Sequence, residues 1–261
     1  MSDEILLQRD GAVAIVTLNR PDRMNAVYLG MMIELGEVLT ELDGDDGVGV
    51  ILITGAGRGF CAGGDVKAMA DRGPRSFEGR VADLKRMHRV PLTIRAMPKV
   101  VIAAINGPAA GAGFSLALAC DLRIAAESAK FSTAFAKVGL SGDFGGSHSL
   151  QRLVGPMLAR ELYLTSRSID AAEAARLGLV SRVVPDDHLM DAAMETAREI
   201  AAGPRVAFGL MKRNMLAAET EPFGTVLDLE AFHQARASST EDHAEAKRAF
   251  VEKRAPRFSG A

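Results

Sequence analysis

The first 19 residues of the chain predict two short strands around Asp10-Gly11, because Ala12 to Leu18 is β-rich and is closed by the turn residues Asn19-Arg20-Pro21. Apolar residues then recur at helical spacing, at Leu29, Met32, Ile33, Leu39 and Leu42, until the breakers Asp43-Gly44-Asp45-Asp46-Gly47 end the run. Val48 to Ile53, Val100 to Ile105 and, more weakly, Leu122 to Ala126 are unbroken apolar stretches of strand length, the pattern of strands covered on both faces. Between them one helix is predicted from about Ser76 to Ala96, with Pro91 inside it, and a small-residue helix from about Gly111 to Ala119. This alternation points to parallel βαβ units with right-handed crossovers. Past Val184 three or four helical patterns follow with no strand between them. Asp170 with Glu173 and Ser239 with Asp242 read as helix starts, and Gly178 as a stop. The expected organisation is an α/β core over residues 1–200 and a helical region over 201–261 that serves oligomerisation.

Composition narrows the class. The chain has 261 residues, 31 Lys and Arg against 33 Asp and Glu, and 48% hydrophobic residues, the profile of a globular protein without the basic footprint of a nucleic-acid binder. Cys61 and Cys120 are too few for a disulfide framework, and the opening MSDEILLQRDG lacks the basic and apolar regions of a secretion signal, so the expected location is cytoplasmic. Apolar runs such as Val100–Ile105 fall far short of a membrane span. No His, Cys or carboxylate spacing suggests a metal.

Two glycine-rich segments carry the candidate chemistry. ILITGAGRGF follows a strand but fails as a dinucleotide fingerprint, since Gly55, Gly57 and Gly59 are spaced two apart and Ala62 stands where the third glycine belongs. Tyr28 and Tyr163 lack the lysine four residues on that a short-chain dehydrogenase requires, and no Walker pattern occurs. What remains is a strand running into GRGFCAGGDV and a second running into NGPAAGAGFSLALACD, each entering a helix. Small residues let a ligand approach the main chain, and free amides at a helix start attract negative charge. Two such ends side by side would aim two N–H donors at one oxygen, as an oxyanion hole does.

With these loops the chain resembles the crotonase, or enoyl-CoA hydratase/isomerase, family over its whole length: LNRPDRMNAV, GFCAGGDV, MPKVVIAAINGPAAGAGFSLALACDLRIA, RLGLVSRVV and AFVEKRAPRF carry the likeness. The resemblance implies an α/β fold, a spiral of ββα turns, with a C-terminal helical region that packs trimers, often paired as hexamers. It implies an acyl-CoA thioester as ligand, with coenzyme A arriving as part of the substrate and no separate cofactor. Its carbonyl oxygen is expected to be held by the backbone amides of Cys61 and Ala112, within the segments Ala62, Gly63, Gly64 and Gly111. Cys61 itself then reads as a small buried hydrophobe. Coenzyme A contacts carried over from the family are Arg23, Met24 and Ala26, with Asp65 and Val66 near the pantetheine and adenine, and Phe250 and Lys253 reaching a neighbouring subunit's nucleotide. Arg23 and Lys253 also read as surface cations, and Asp65 as a helix cap.

The family's hydratases use two glutamates, and the matching positions here hold Ser115 and Phe135, neither of which can act as a carboxylate. The remaining acid is Asp143 in VGLSGDFGGSHSL, where members that shift a double bond, and the 4-chlorobenzoyl-CoA dehalogenase, also carry an acid. His88 stands near the place of that dehalogenase's histidine. Asp143 alternatively caps the turn Phe144-Gly145-Gly146. One carboxylate suffices for isomerisation because the proton taken from one carbon is returned to another. The expectation is therefore enoyl-CoA isomerisation through Asp143. Hydration, dehalogenase-like or hydrolytic chemistry and acyl-CoA binding without turnover are the alternatives. Met69 to Arg89 is expected to line the acyl pocket.

Overall fold

The computed structural model describes residues 3–71, 73 and 75–260. Its frame is a six-stranded sheet built from β1 (Ile5–Asp10), β2 (Val13–Leu18), β3 (Val50–Gly55), β4 (Val100–Ile105), β6 (Leu122–Ala126) and β9 (Arg182–Val184), adjacent in that order. The β1–β2 hairpin is antiparallel, with Asp10 opposite Val13 across the predicted turn, and all later pairings are parallel. Side chains alternate between faces along a strand. Ile51, Ile53, Val101, Ala103 and Ile105 pack on one side of the sheet with α1 (Leu29–Asp43), α4 (Arg89–Ala96) and α5 (Ala112–Ala119). Val50, Leu52, Ile102 and Ala104 face the other side, under Leu189, Ala193 and Ala197 of α8 (Leu189–Ala201). Coverage on both faces explains why these strands read as unbroken apolar runs.

A second sheet, of β5 (Ala109–Ala110), β7 (Lys130–Ser132) and β8 (Ile169–Asp170), has strands of two or three residues and was not foreseen. Two isolated parallel bridges, Val27 with Gly64 and Cys61 with Ala109, lie beside it. Four helices, α8, α9 (Arg205–Ala218), α10 (Phe223–Ser238) and α11 (Glu241–Glu252), follow β9 with no strand between them, as the pattern predicts.

Three helical details differ. The single helix expected over 76–96 is two, α3 (Phe77–Met87) and α4, because Pro91 has no N–H for the Met87 carbonyl and sits instead in the first turn of a new helix. The last helix is capped by Thr240, whose Oγ1 accepts from the His243 amide at 3.1 Å, and not by Ser239, which closes α10. The long α6 (Gly146–Thr165) bends at Gly155, φ 78°, just before Pro156. The signals at α7 (Ala171–Arg176) read correctly: Asp170 caps it by accepting from the Glu173 amide at 2.7 Å, and Gly178 stops it at φ 71°. The short α2 (Val66–Asp71) lies between β3 and α3, and of the expected acyl-lining segment residues 72 and 74 lie outside the described ones. Among the described residues no helix is long and apolar enough to cross a membrane.

Candidate active site

The two glycine-rich segments meet beyond the carboxyl ends of β3 and β4. Asn25, fully buried, donates to the carbonyls of Ala56 and Gly59, while Asn106 donates to Gly57 and accepts from the Gly55 amide. These side chains pin the loop that leads from β3 into residues 60–65. Sequence reasoning missed both asparagines as scaffold, although Asn25 stands inside LNRPDRMNAV and Asn106 inside NGPAAG. Arg20 ties the same region together, donating to the Ala26 carbonyl and pairing with Asp65 at 2.9 Å and Glu4 at 3.0 Å.

The expected Cys61 donor is corrected by the local pairing. In its bridge with Ala109 the Cys61 amide donates to the Pro108 carbonyl at 3.2 Å, and its own carbonyl accepts from Ala110 at 2.9 Å. That amide is therefore engaged. Gly63, at φ 98°, then turns the chain. In the next bridge Val27 donates to Gly63 and accepts from Asp65, so the Gly64 amide points away from Val27. Gly63 itself lies against the start of α5: a Cβ on it would be 2.8 Å from the Ala110 carbonyl oxygen and 3.5 Å from the Ala112 nitrogen. Ala112 follows Gly111, φ 51°, and is the first residue of α5, where amides have no partner within the helix. Gly64 and Ala112, whose amides donate no hydrogen bond among the described residues, are the two candidate donors. Cys61 is fully buried and burial pushes its thiol up to about 12, which fits the inert reading of that side chain.

Asp143 lies at the foot of α6, and its Oδ1 hydrogen-bonds His88 Nε2 and accepts from the Phe144 amide at 2.9 Å. The turn-capping role and the encounter with His88 thus coexist on one oxygen. Oδ2 accepts no hydrogen bond from the described residues. The carboxylate is 23% exposed and so reachable by a ligand. Phe144 is buried at φ 54° and meets the His88 ring edge-on at 5.8 Å; a bulky residue there stores strain of the kind found at functional turns. His88 reaches Asp143 because it occupies the joint between α3 and α4 that Pro91 creates.

Ser115 lies inside α5 and is buried, and Phe135 is buried near the start of that helix. Ser115 Oγ donates to the Gly111 carbonyl at 3.2 Å, and the Phe135 ring would touch a Cβ on Gly111 at 3.8 Å. Phe135 stacks on Tyr163 of α6, with centroids 6.1 Å apart. Tyr163 was not singled out for the site. Burial, with the Asp143 charge adding and Ser115 acting the other way, pushes its pKa up to about 12.

Of the coenzyme A candidates, Arg23, Met24 and Ala26 run alongside residues 61–65, with the Ala62 amide donating to Met24 at 2.9 Å. The Asp65 carboxylate is buried, accepts from the Ala68 amide at 2.9 Å and pairs with Arg20; the amide bond first, then the guanidinium, holds it below the ordinary carboxylate value. It caps α2, as the alternative reading had it. Val66 is exposed next to it. Phe250 on α11 and Lys253, which closes that helix, are exposed. No cluster of His, Cys, Asp and Glu among the described residues is arranged to hold a metal.

Two unengaged backbone amides and a reachable carboxylate are groups suited to a carbonyl compound that gains negative charge on oxygen. The chain belongs to the enoyl-CoA hydratase/isomerase family, whose model matches residues 8–261, and it has the crotonase fold. It is 41% identical over the full length of both chains to the 1,2-epoxyphenylacetyl-CoA isomerase of Escherichia coli K12. It is 36% identical to the short-chain-enoyl-CoA hydratase of Clostridium acetobutylicum, over 97% of this chain and 96% of that one. An enoyl-CoA hydratase structure from Bacillus anthracis superposes with a TM-score of 0.94 at 34% identity, covering 99% of this chain and all of the other.

Proposed function

We propose that this enzyme moves the double bond of an enoyl-CoA thioester, with Asp143 as proton shuttle. The thioester oxygen accepts from the Gly64 and Ala112 amides. Asp143 Oδ2 takes a proton from the α-carbon, the electron pair spreads over the unsaturated acyl chain and onto the carbonyl oxygen, and the same carboxyl returns the proton at the γ-carbon. No atom is gained or lost. Because an ionised carboxylate only accepts hydrogen bonds, His88 donates Nε2–H to Oδ1, holding the carboxylate so that Oδ2 faces the ligand. Each amide contributes about 3–4 kcal/mol to the charged transition state.

The observation that carries this reading is that Asp143 has one oxygen held and one that accepts no hydrogen bond from the described residues, while Ser115 and Phe135 stand at the positions where the resemblance expects the hydratase glutamates. Hydration is the second reading, favoured by His88 standing beside Asp143 as a second proton carrier. Arg23, Met24, Ala26 and Val66 are proposed to border the coenzyme A moiety, and the molecule to assemble as a trimer or a pair of trimers.

The test is turnover of 2-enoyl-, 3-enoyl- and aromatic CoA thioesters in deuterated water. Deuterium entering the α- or γ-carbon with a shifted double bond and no alcohol supports isomerisation; accumulation of a 3-hydroxyacyl product reverses the order. Asp143→Asn is expected to lower kcat by about 10²–10⁴ while thioester binding persists.

A further inference from the structure

The contact between His88 and Asp143 joins two helices that both pack against α5. His88 precedes α4, and Asp143 leads into α6, its carbonyl accepting from the Gly146 amide at 3.1 Å. A single contact between two helices is a pivot about which either can turn. A second contact some distance away removes that freedom.

Glu219, which closes α9, supplies the second contact. Arg95, in the last turn of α4 and about 10 Å along the axis from His88, donates to the Glu219 carboxylate. From α6, Arg152 donates to the Glu219 carbonyl at 3.1 Å with its Nε 3.7 Å from Oε2, and His148 Nε2 lies 3.6 Å from the same oxygen. Burial first, then the Arg152 and Arg95 charges, hold His148 below its ordinary pKa, so at neutral pH the carboxylate stands between two guanidiniums and a neutral ring. Glu219 is 28% exposed and Arg95 24%, so solvent screens this pair less than it would on an open surface. Lys212 of α9 fastens α4 separately, donating to the Ile94 carbonyl at 2.7 Å and to Asp121 at 2.7 Å. Glu219 reaches both α4 and α6.

We infer that Glu219 is a positioning residue for the reaction: by tying α4 to α6 away from the His88–Asp143 contact, it sets the angle between the helices and so the aim of the Asp143 carboxylate. The inference rests on the reading of Asp143 as proton carrier. Glu219 acts through the helices, since its bonds go to Arg95 and Arg152 and those of the Asp143 carboxylate to His88 and the Phe144 amide. An amide in place of the Glu219 carboxylate leaves the two guanidiniums with no anion between them. They then repel, the helices part at that end, and the His88–Asp143 hydrogen bond at the other end of α4 is lost. Because Lys212 still holds α4, the expected cost is a modest one, about two- to tenfold in kcat with KM within about twofold.

The test combines crystal structures of the whole protein with kcat and KM for the reactive thioester. In Glu219→Gln the His88 Nε2 to Asp143 Oδ1 hydrogen bond, present in wild type, is expected to be lost and kcat to fall. Arg95→Gln, which cuts only the α4 arm, should give a similar loss, and the double variant no more than either single one. In a His88→Gln background Glu219→Gln should cost nothing further, whereas a general loosening of the fold would lower kcat in both backgrounds alike. An equal loss in both backgrounds, or a Glu219→Gln protein that keeps the hydrogen bond and wild-type kcat, overturns the inference. Wild-type turnover in Asp143→Asn would overturn the proton-carrier reading instead, and the distance in Glu219→Gln would still decide whether Glu219 sets the pair.

Discussion

Whether an atom is used or idle at this site turns on where single N–H and S–H groups point. Ala112 is the first residue of α5, a position that accepts proline because its N–H makes no helical bond, and Gly111 precedes it at ψ −123°, outside the helical region that proline disfavours. Ala112→Pro therefore removes one donor without breaking a helical hydrogen bond and sets a ring carbon where the thioester oxygen would sit. It is expected to lower kcat by about 10²–10³ with an unchanged circular dichroism spectrum, a loss that a purely structural amide would not produce. The thiols give the opposite expectation. Cys61 and Cys120 are both buried, and burial pushes each up to about 12, so neither is a thiolate at pH 8. A chromogenic disulfide reagent should find no reactive thiol in the native protein and two after denaturation, and rapid native labelling of Cys61 would contradict its place in the core.

At the scale of elements, the long β–α alternation was readable because each strand of the large sheet is covered on both faces. The three strands of the small sheet carry too few residues to show any period, and the bridges of Val27 with Gly64 and Cys61 with Ala109 carry none. These bridges engage the Cys61 amide and leave that of Gly64 unpaired, so the motif placed the proposed first donor only to within three residues. Similarly, His88 and Asp143 were each visible as candidates, but their contact depends on Pro91 starting a new helix and not bending a continuous one. Asp65 illustrates how an element supports the site from outside it, capping α2 while holding Arg20 against the first loop. Its folded-state pKa lies below the ordinary 3.8, so its stabilising contribution is fully present above that value and is lost as pH falls through the lower, folded-state one. Asp65→Asn is accordingly expected to lower the urea midpoint at pH 7, and the gap from wild type should close as the pH drops below about 4. A gap that stayed constant down to pH 3 would mean that the shape of the side chain, and not its charge, holds the loop.

For the whole molecule, the question is what covers the outer faces of the C-terminal helices. Phe223 at 77%, Phe232 at 70% and Phe250 at 85% exposure are large apolar side chains, of a kind a lone chain seldom leaves in water in such number. The last residues are meanwhile fastened down: the buried Asp242 carboxylate accepts from the Ser259 amide at 2.7 Å, and Glu245 takes Arg254 and the Arg257 amide. A firmly placed α11 presenting Phe250 and Lys253 outward suits a surface that meets another copy of the chain. Sedimentation equilibrium is expected to give three or six times the 27.7 kDa of the chain. If Lys253 then reaches the nucleotide end of a neighbour's coenzyme A, an exposed ion pair of that kind is worth up to about 1 kcal/mol, or about a fivefold change in KM. Lys253→Ala should raise KM for a CoA thioester by a few-fold, shrinking with added salt, and leave KM for the matching acyl-pantetheine, which lacks the nucleotide, unchanged. Equal effects on both substrates would place Lys253 in the packing of subunits and not in the grip on the nucleotide.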